Sequence, residues 1–258
     1  MSIDLSSFGL TEMLRCRREL HRAASQTPTM ETCARRICRT LYDLLQTRDG
    51  DHACVLVRCY KTHAFGSLPD DLQRFVRRIG NFVEPPAATM KCLTLLATVG
   101  EQAQWNTRFS SRNHQAIPLP SPRIVERAPM IARLIQDFGL NLASIINPTP
   151  EVVRDLAGKS YGVFHVEDAA GSPAIPAQDD FVDRYGVKSV VGFGGSLASG
   201  DLFAVILFSR VTISAEVADR FRALALDVKS LFFPFGEGTV FDRGEGLSRP
   251  DLESGIRA

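Results

Sequence analysis

The sequence predicts an α+β fold, a central antiparallel sheet of about five or six strands flanked by helices. Three observations carry this. Amphipathic helical stripes stand toward both ends of the chain, at residues 30–45 and 217–232. Apolar strand-like runs lie between them. The last two runs, 188–197 and 202–208, are joined by Ala198-Ser199-Gly200-Asp201, a turn so short that the strands must pair antiparallel. Helices layered on one antiparallel sheet satisfy this order better than alternating βα units.

Each element follows from its local pattern. Leu10, Met13, Leu14 and Leu20 mark a first short helix, capped near Ser7 or Thr11. A second helix opens at Thr27-Pro28, a capping residue followed by proline in the first turn. Its stripe of Met30, Cys33, Ala34, Ile37, Cys38, Leu41, Leu44 and Leu45 keeps a 3.6-residue period. Asp49-Gly50-Asp51 breaks it, and residues 53–60 follow as a strand. Leu72, Phe75, Val76 and Ile79 define a helix over 68–79, and residues 91–99 a second strand. The stretch 100–122 is polar and proline-rich, and 122–138 reads as one helix. Residues 161–166 form the next strand, 177–185 a short helix, then come the closing hairpin and a helix capped by Ser214. The expected organisation is an N-terminal helical extension over 1–27, one domain over 28–235 and a flexible tail or linker over 236–258.

Composition excludes several classes. A chain of 258 residues with 45% hydrophobic and 23% charged residues is ordinary for a globular protein. Its formal net charge of +1 argues against direct nucleic-acid binding. Six cysteines are too sparse for a disulfide framework and favour a reducing, cytoplasmic setting. The longest apolar run, residues 202–208, is far short of the roughly 20 residues that span a membrane. No export signal is visible at the N-terminus.

From Tyr161 to Phe232 the sequence resembles a GAF domain, a small-molecule sensor module. The strand Val163-Phe164-His165-Val166 ends in the acidic loop Glu167-Asp168-Ala169. A short helix leads into Gly186-Val187-Lys188-Ser189-Val190-Val191, then come the turn with its apolar strand and the capped final helix. Helix 28–46 followed by strand 53–60 suits the family's opening, and the middle, 66–160, is much longer than the compact pattern. The resemblance implies a cytoplasmic sensory domain, dimeric through flanking helices, that signals to an output domain or protein such as a histidine kinase. Family ligands include cyclic nucleotides, bilins, haem and small metabolites. The cyclic-nucleotide signature and the Cys-His pair of bilin attachment are both absent here.

Candidate ligand-binding residues are His114, His165, Asp168, Trp105, Ser189 and Phe193. An imidazole of His114 or His165 could ligate haem iron, which makes haem the leading specific cofactor. Trp105, the only tryptophan, either lines a pocket or anchors a long loop. Asp168 has an alternative use as a loop cap. Gly192-Phe193-Gly194-Gly195 lacks the third glycine and following helix of a phosphate loop, so it reads as strand glycine beside a bulge, a ligand or a neighbouring backbone. His52, Cys54, Cys59 and His63 have zinc-like spacing, but strand alternation puts the first and second pairs on opposite faces. The alternatives to a sensor are a ligand-free dimerisation module, or a thiol enzyme of the free methionine sulfoxide reductase type using Cys54, Cys59 or Cys92.

Overall fold

The strand Leu202–Ser209 (β8) is apolar until its last residue, and all eight of its residues are buried. Such a strand needs cover on both faces. In the computed structural model, which describes residues 2–147 and 161–242, it occupies the middle of a six-stranded antiparallel sheet. The other strands are Cys54–Ala64 (β3), Lys91–Gly100 (β4), Ala116–Leu119 (β5), Tyr161–Val166 (β6) and Ser189–Ser196 (β7). Their spatial order is β5-β4-β3-β8-β7-β6. The two-residue strands Ile3–Asp4 (β1) and Leu45–Gln46 (β2) pair in parallel outside this sheet. The α+β antiparallel arrangement expected from the sequence is therefore the one observed.

Alternation along β8 sorts the core into two halves. Phe203, Val205 and Leu207 face a layer of three helices, Leu10–Ala24 (α1), Met30–Leu44 (α2) and Ala215–Phe232 (α7). Leu202, Ala204, Ile206 and Phe208 face the opposite side. There the cover is a set of short helices: Pro122–Val125 (α4), Pro129–Asp137 (α5), Leu142–Ile146 (α6) and a π-helical turn over Gln178–Asp183. A satellite helix, Asp70–Ile79 (α3), packs Leu72, Phe75 and Val76 under the β4–β5 edge.

The helix starts obey capping chemistry, with shifts of a residue or two. Thr29, rather than Thr27, caps α2 by accepting from the Thr32 amide at 3.1 Å. At α1 the cap is Gly9, whose N–H donates to the Glu12 carboxylate at 3.1 Å. Ser214 caps α7 as expected, accepting from Val217 at 3.3 Å. The helix read over 122–138 is two pieces, because Pro129 restarts it.

The first and last described segments, near Ile3 and Val240, join the main core. Ile3, Leu5, Phe8, Cys16 and Leu20 are buried in one cluster with α2 and α7, and Phe8 stacks on Phe221 at 4.8 Å. Asp227 of α7, only 4% exposed, receives Arg17 at 2.7 Å and His21 at 2.9 Å from α1. The segment expected to be a tail from 236 instead buries Val240, whose carbonyl accepts from the Glu31 amide at 2.8 Å. Asp242 then pairs with Arg35. The rest of that expected tail, 243–258, lies outside the described residues.

The strand glycines have a steric cause. Gly162 and Gly194 are register partners, with the backbone of Phe138 against the first and its ring against the second. A Cβ at Gly162 would stand 2.1 Å from Phe138 Cα, and one at Gly194 would stand 2.1 Å from the Phe203 carbonyl oxygen and 2.7 Å from the Phe138 ring. Of the readings open for this motif, close approach of a neighbouring backbone is the one realised. Gly162→Ala and Gly194→Ala should each destabilise the fold by about 1–3 kcal/mol through overpacking, read as a lower urea midpoint. Unchanged midpoints in both would contradict this packing.

Candidate functional site

The side of the sheet away from α1, α2 and α7 is not fully filled. Alternation sends Leu56, Arg58 and Tyr60 of β3 to this face, beside Ala204, Ile206 and Phe208 of β8 and Leu93 of β4. Trp105, Asn113 and His114 come from the long connection after β4, and Ala128 to Ile131 with Leu134 from the start and body of α5. Ile175, Pro176, Ala177 and Phe181 close the remaining side. Together they enclose a cavity of about 490 Å³, within the usual size of small-molecule sites.

Its walls are mainly aliphatic and aromatic. Trp105 stands edge-on to Tyr185 at 4.7 Å and to Phe181 at 5.7 Å, and Phe181 stands edge-on to Phe208 at 5.0 Å. Four lining residues bring polar groups: Arg58, Tyr60, Asn113 and His114. No acidic side chain lines it. The Arg58 guanidinium donates from Nη1 to the Tyr60 hydroxyl at 3.3 Å, while its buried Nε–H has no partner. Among the described residues no carboxylate forms an ion pair with Arg58.

His114 is reached by solvent, yet the protein around it still governs its charge. Burial, and then the positive charge of Arg58, lower its pKa from 6.5 to about 4. It is therefore a neutral imidazole at pH 7, able to accept as well as donate a hydrogen bond.

The structure brings two of the six sequence candidates, Trp105 and His114, to this cavity. The other four lie elsewhere. His165 alternates with Phe164 and Val166, which point to the cavity half of the core, and its Nε2 lies 2.7 Å from the Ile213 carbonyl. That contact makes Nε2 the donor, and of the two histidine candidates only His114 lines the cavity. Asp168 accepts from the Ala170 amide at 3.1 Å, the loop-cap use noted above. The Ser189 hydroxyl donates to the Glu167 carbonyl at 2.6 Å and accepts from the Ile213 amide at 2.9 Å. Phe193 is fully buried on the helix side, 5.7 Å from Phe221. Sequence reasoning passed over Arg58 and Tyr60. The available signal was a charged residue inside the apolar run 53–60, an arrangement that needs a reason.

The cysteines are placed differently from the alternation argument. An extra residue in β3 between Cys54 and Leu56 changes the strand's parity there, so Cys54 and Cys59 both join the helix-side core. Among the described residues no group of three or more His, Cys, Asp or Glu side chains is placed to hold a metal ion. Burial pushes the Cys54 and Cys92 thiols up to about 12 and Cys59 well above its usual value. A reactive thiol needs the opposite setting, and none of the three lines the cavity.

The lowered pKa of His114 has a stability consequence. As pH falls from 6.5 toward 4, the unfolded chain takes up a proton that folded His114 refuses, so stability declines over that window. Buried His63, lowered to about 3, acts in the same direction. His114→Gln should flatten the urea-midpoint slope between pH 6.5 and 4 relative to the parent chain. An identical slope would show that His114 titrates normally.

No family model matches the chain, and no curated protein matches it. Two of the solved structures similar to it are GAF domains. One is the GAF domain of a phosphoenolpyruvate-protein phosphotransferase from Coxiella burnetii, with 11% identity, a TM-score of 0.42, and coverage of 86% of this chain and 93% of that one. The other is the phycoerythrobilin-bound GAF domain of a cyanobacterial phytochrome, with 13% identity, a TM-score of 0.39, and coverage of 90% and 96%. No helix among the described residues is long and apolar enough to cross a membrane. These two structures belong to the family that residues 161–232 resemble in sequence.

Proposed function

We propose that this chain is a GAF-like sensory domain that binds a small, largely apolar molecule in the cavity between its sheet and the cover supplied by residues 105–134 and 175–181. The observation carrying this reading is the cavity itself, an apolar enclosure of about 490 Å³ with a few polar groups grouped on one side. The sequence pattern of 161–232 supports the sensory part of the reading. On this account the ligand favours one arrangement of the sheet and its cover, and the shift in population passes to α1, α2 and α7. The recipient is a second copy of the chain or an output protein such as a histidine kinase, in a cytoplasmic setting.

Haem remains a specific candidate through His114, whose neutral imidazole is the form that ligates iron. The visible spectrum of the purified protein tests it. A Soret band lost in His114→Ala identifies haem, and a colourless protein removes it from consideration.

Ligand occupancy is tested by thermal-shift screening with small organic compounds. Compounds that raise the Tm should bind at least tenfold more weakly to Ala204→Leu and Ala128→Trp, which place extra side-chain volume on the floor and rim of the cavity. Full retention of binding in both variants would place the ligand elsewhere. A screen without any stabilising compound would favour the ligand-free interaction module.

A further inference from the structure

Arg58 is an unusual residue for the middle of this sheet. It sits on β3 between Leu56 and Tyr60, opposite Thr98 on one neighbouring strand and Ile206 on the other. Its side chain enters a cavity whose surface is otherwise dominated by carbon, and a guanidinium stays charged at any working pH. Arg58 is partly shielded from solvent, yet the described residues supply its guanidinium with one neutral hydroxyl and no anion. The buried Nε–H is left without an acceptor. Native folds rarely leave such a donor idle without a reason.

We infer that the cavity takes an amphipathic monocarboxylate, with its carboxylate on Arg58 and its apolar body against the aromatic and aliphatic walls. This rests on the ligand-binding reading of the same cavity and specifies the ligand's chemical class. The planar guanidinium suits a carboxylate, which can accept from its Nη–H groups. Charge balance favours a single negative charge, because Arg58 is the one Arg or Lys among the described residues lining the space. A phosphate monoester, carrying close to two charges, would leave an excess in an apolar enclosure. Asn113 and neutral His114 stand beside the same space and offer further hydrogen bonds to the head group.

Binding should also register at His114. The charged and titratable groups lining the cavity are Arg58, Tyr60 and His114 itself. A carboxylate on Arg58 offsets the positive charge that helps to hold the imidazole neutral, so the pKa of His114 should rise on binding.

The test uses octanoate, 1-octanol and octyl phosphate as probes, read by the fluorescence of Trp105, the only tryptophan. Octanoate should bind at least tenfold more tightly than 1-octanol, and more tightly than octyl phosphate. Arg58→Met should erase the preference for octanoate over 1-octanol while leaving 1-octanol binding intact. Without probe, Arg58→Met should melt about 2–4 °C higher than the parent, because an unpaired cation has been removed from an apolar space. Arg58→Lys, which keeps the charge without the fork, should show an intermediate preference. The His114 ring signal should titrate at higher pH with octanoate present.

Equal binding of octanoate and 1-octanol would overturn the inference and leave the cavity reading standing. So would a preference that survives in Arg58→Met, or a lower melting temperature for that variant without probe. Tighter binding of octyl phosphate would overturn the monocarboxylate. No response to any of the three probes would count against both readings.

Discussion

The sheet has to be buried on both faces, and the rest of the molecule is arranged to meet that demand. β8 carries apolar side chains on each side, and β3 and β7 flank it with more. One face is met by long helices with continuous apolar stripes, which pack the sheet into a closed core. The first described segment belongs to that closure, since Phe8 stacks on Phe221 and Asp227 of α7 holds Arg17 and His21 of α1. Asp227 is buried while Arg17 and His21 are partly exposed, so its carboxylate has its partners in α1 and the joint ties α1 to α7.

The second face is covered by a different kind of structure. Its helices among the described residues are short and interrupted, and the longest of these, α5, has nine residues. Phe138 at the end of α5 descends onto the Gly162–Gly194 pair, which brings the cover close to the sheet at that point. Near Arg58 and Ala204 the cover stands off and leaves the cavity. Its other margin is tied down by polar contacts. Arg108, in the connection that carries Trp105 and His114, pairs with Glu31 of α2 at 2.8 Å, both side chains being 6% exposed. The Asn106 side chain donates to the Gly100 carbonyl at 2.9 Å. The void is thus framed by fixed supports, and its contents are free to differ from the rest of the core.

Much of this was legible in the sequence, and the physical reason is periodicity. Helix stripes and the run 202–208 specify which side chains need burial, so α2, α7 and the closing hairpin fall close to where the pattern put them. The single helix read over 122–138 failed at Pro129, and the extra residue in β3 between Cys54 and Leu56 broke a parity argument that assumed an unbroken strand. The site was less legible, because a cavity is defined by side chains distant in sequence. Trp105 and His114 were found by residue type. His165 and Phe193 were also chosen by type, and their strand parity, decided by tertiary packing, carries them away from the cavity. Arg58 was overlooked although a charge within an apolar strand run is a visible anomaly.

The account stands on a division of labour between the two faces of one sheet, with packing on one and binding on the other. Intermolecular NOEs from bound octanoate to the protein measure this directly. The account predicts contacts from the alkyl chain to the Trp105 ring, the Ile206 and Leu56 methyls and Met130, with none to Phe193, Val205 or Leu224 on the helix side. Contacts to the helix-side set, or to neither set, would contradict it.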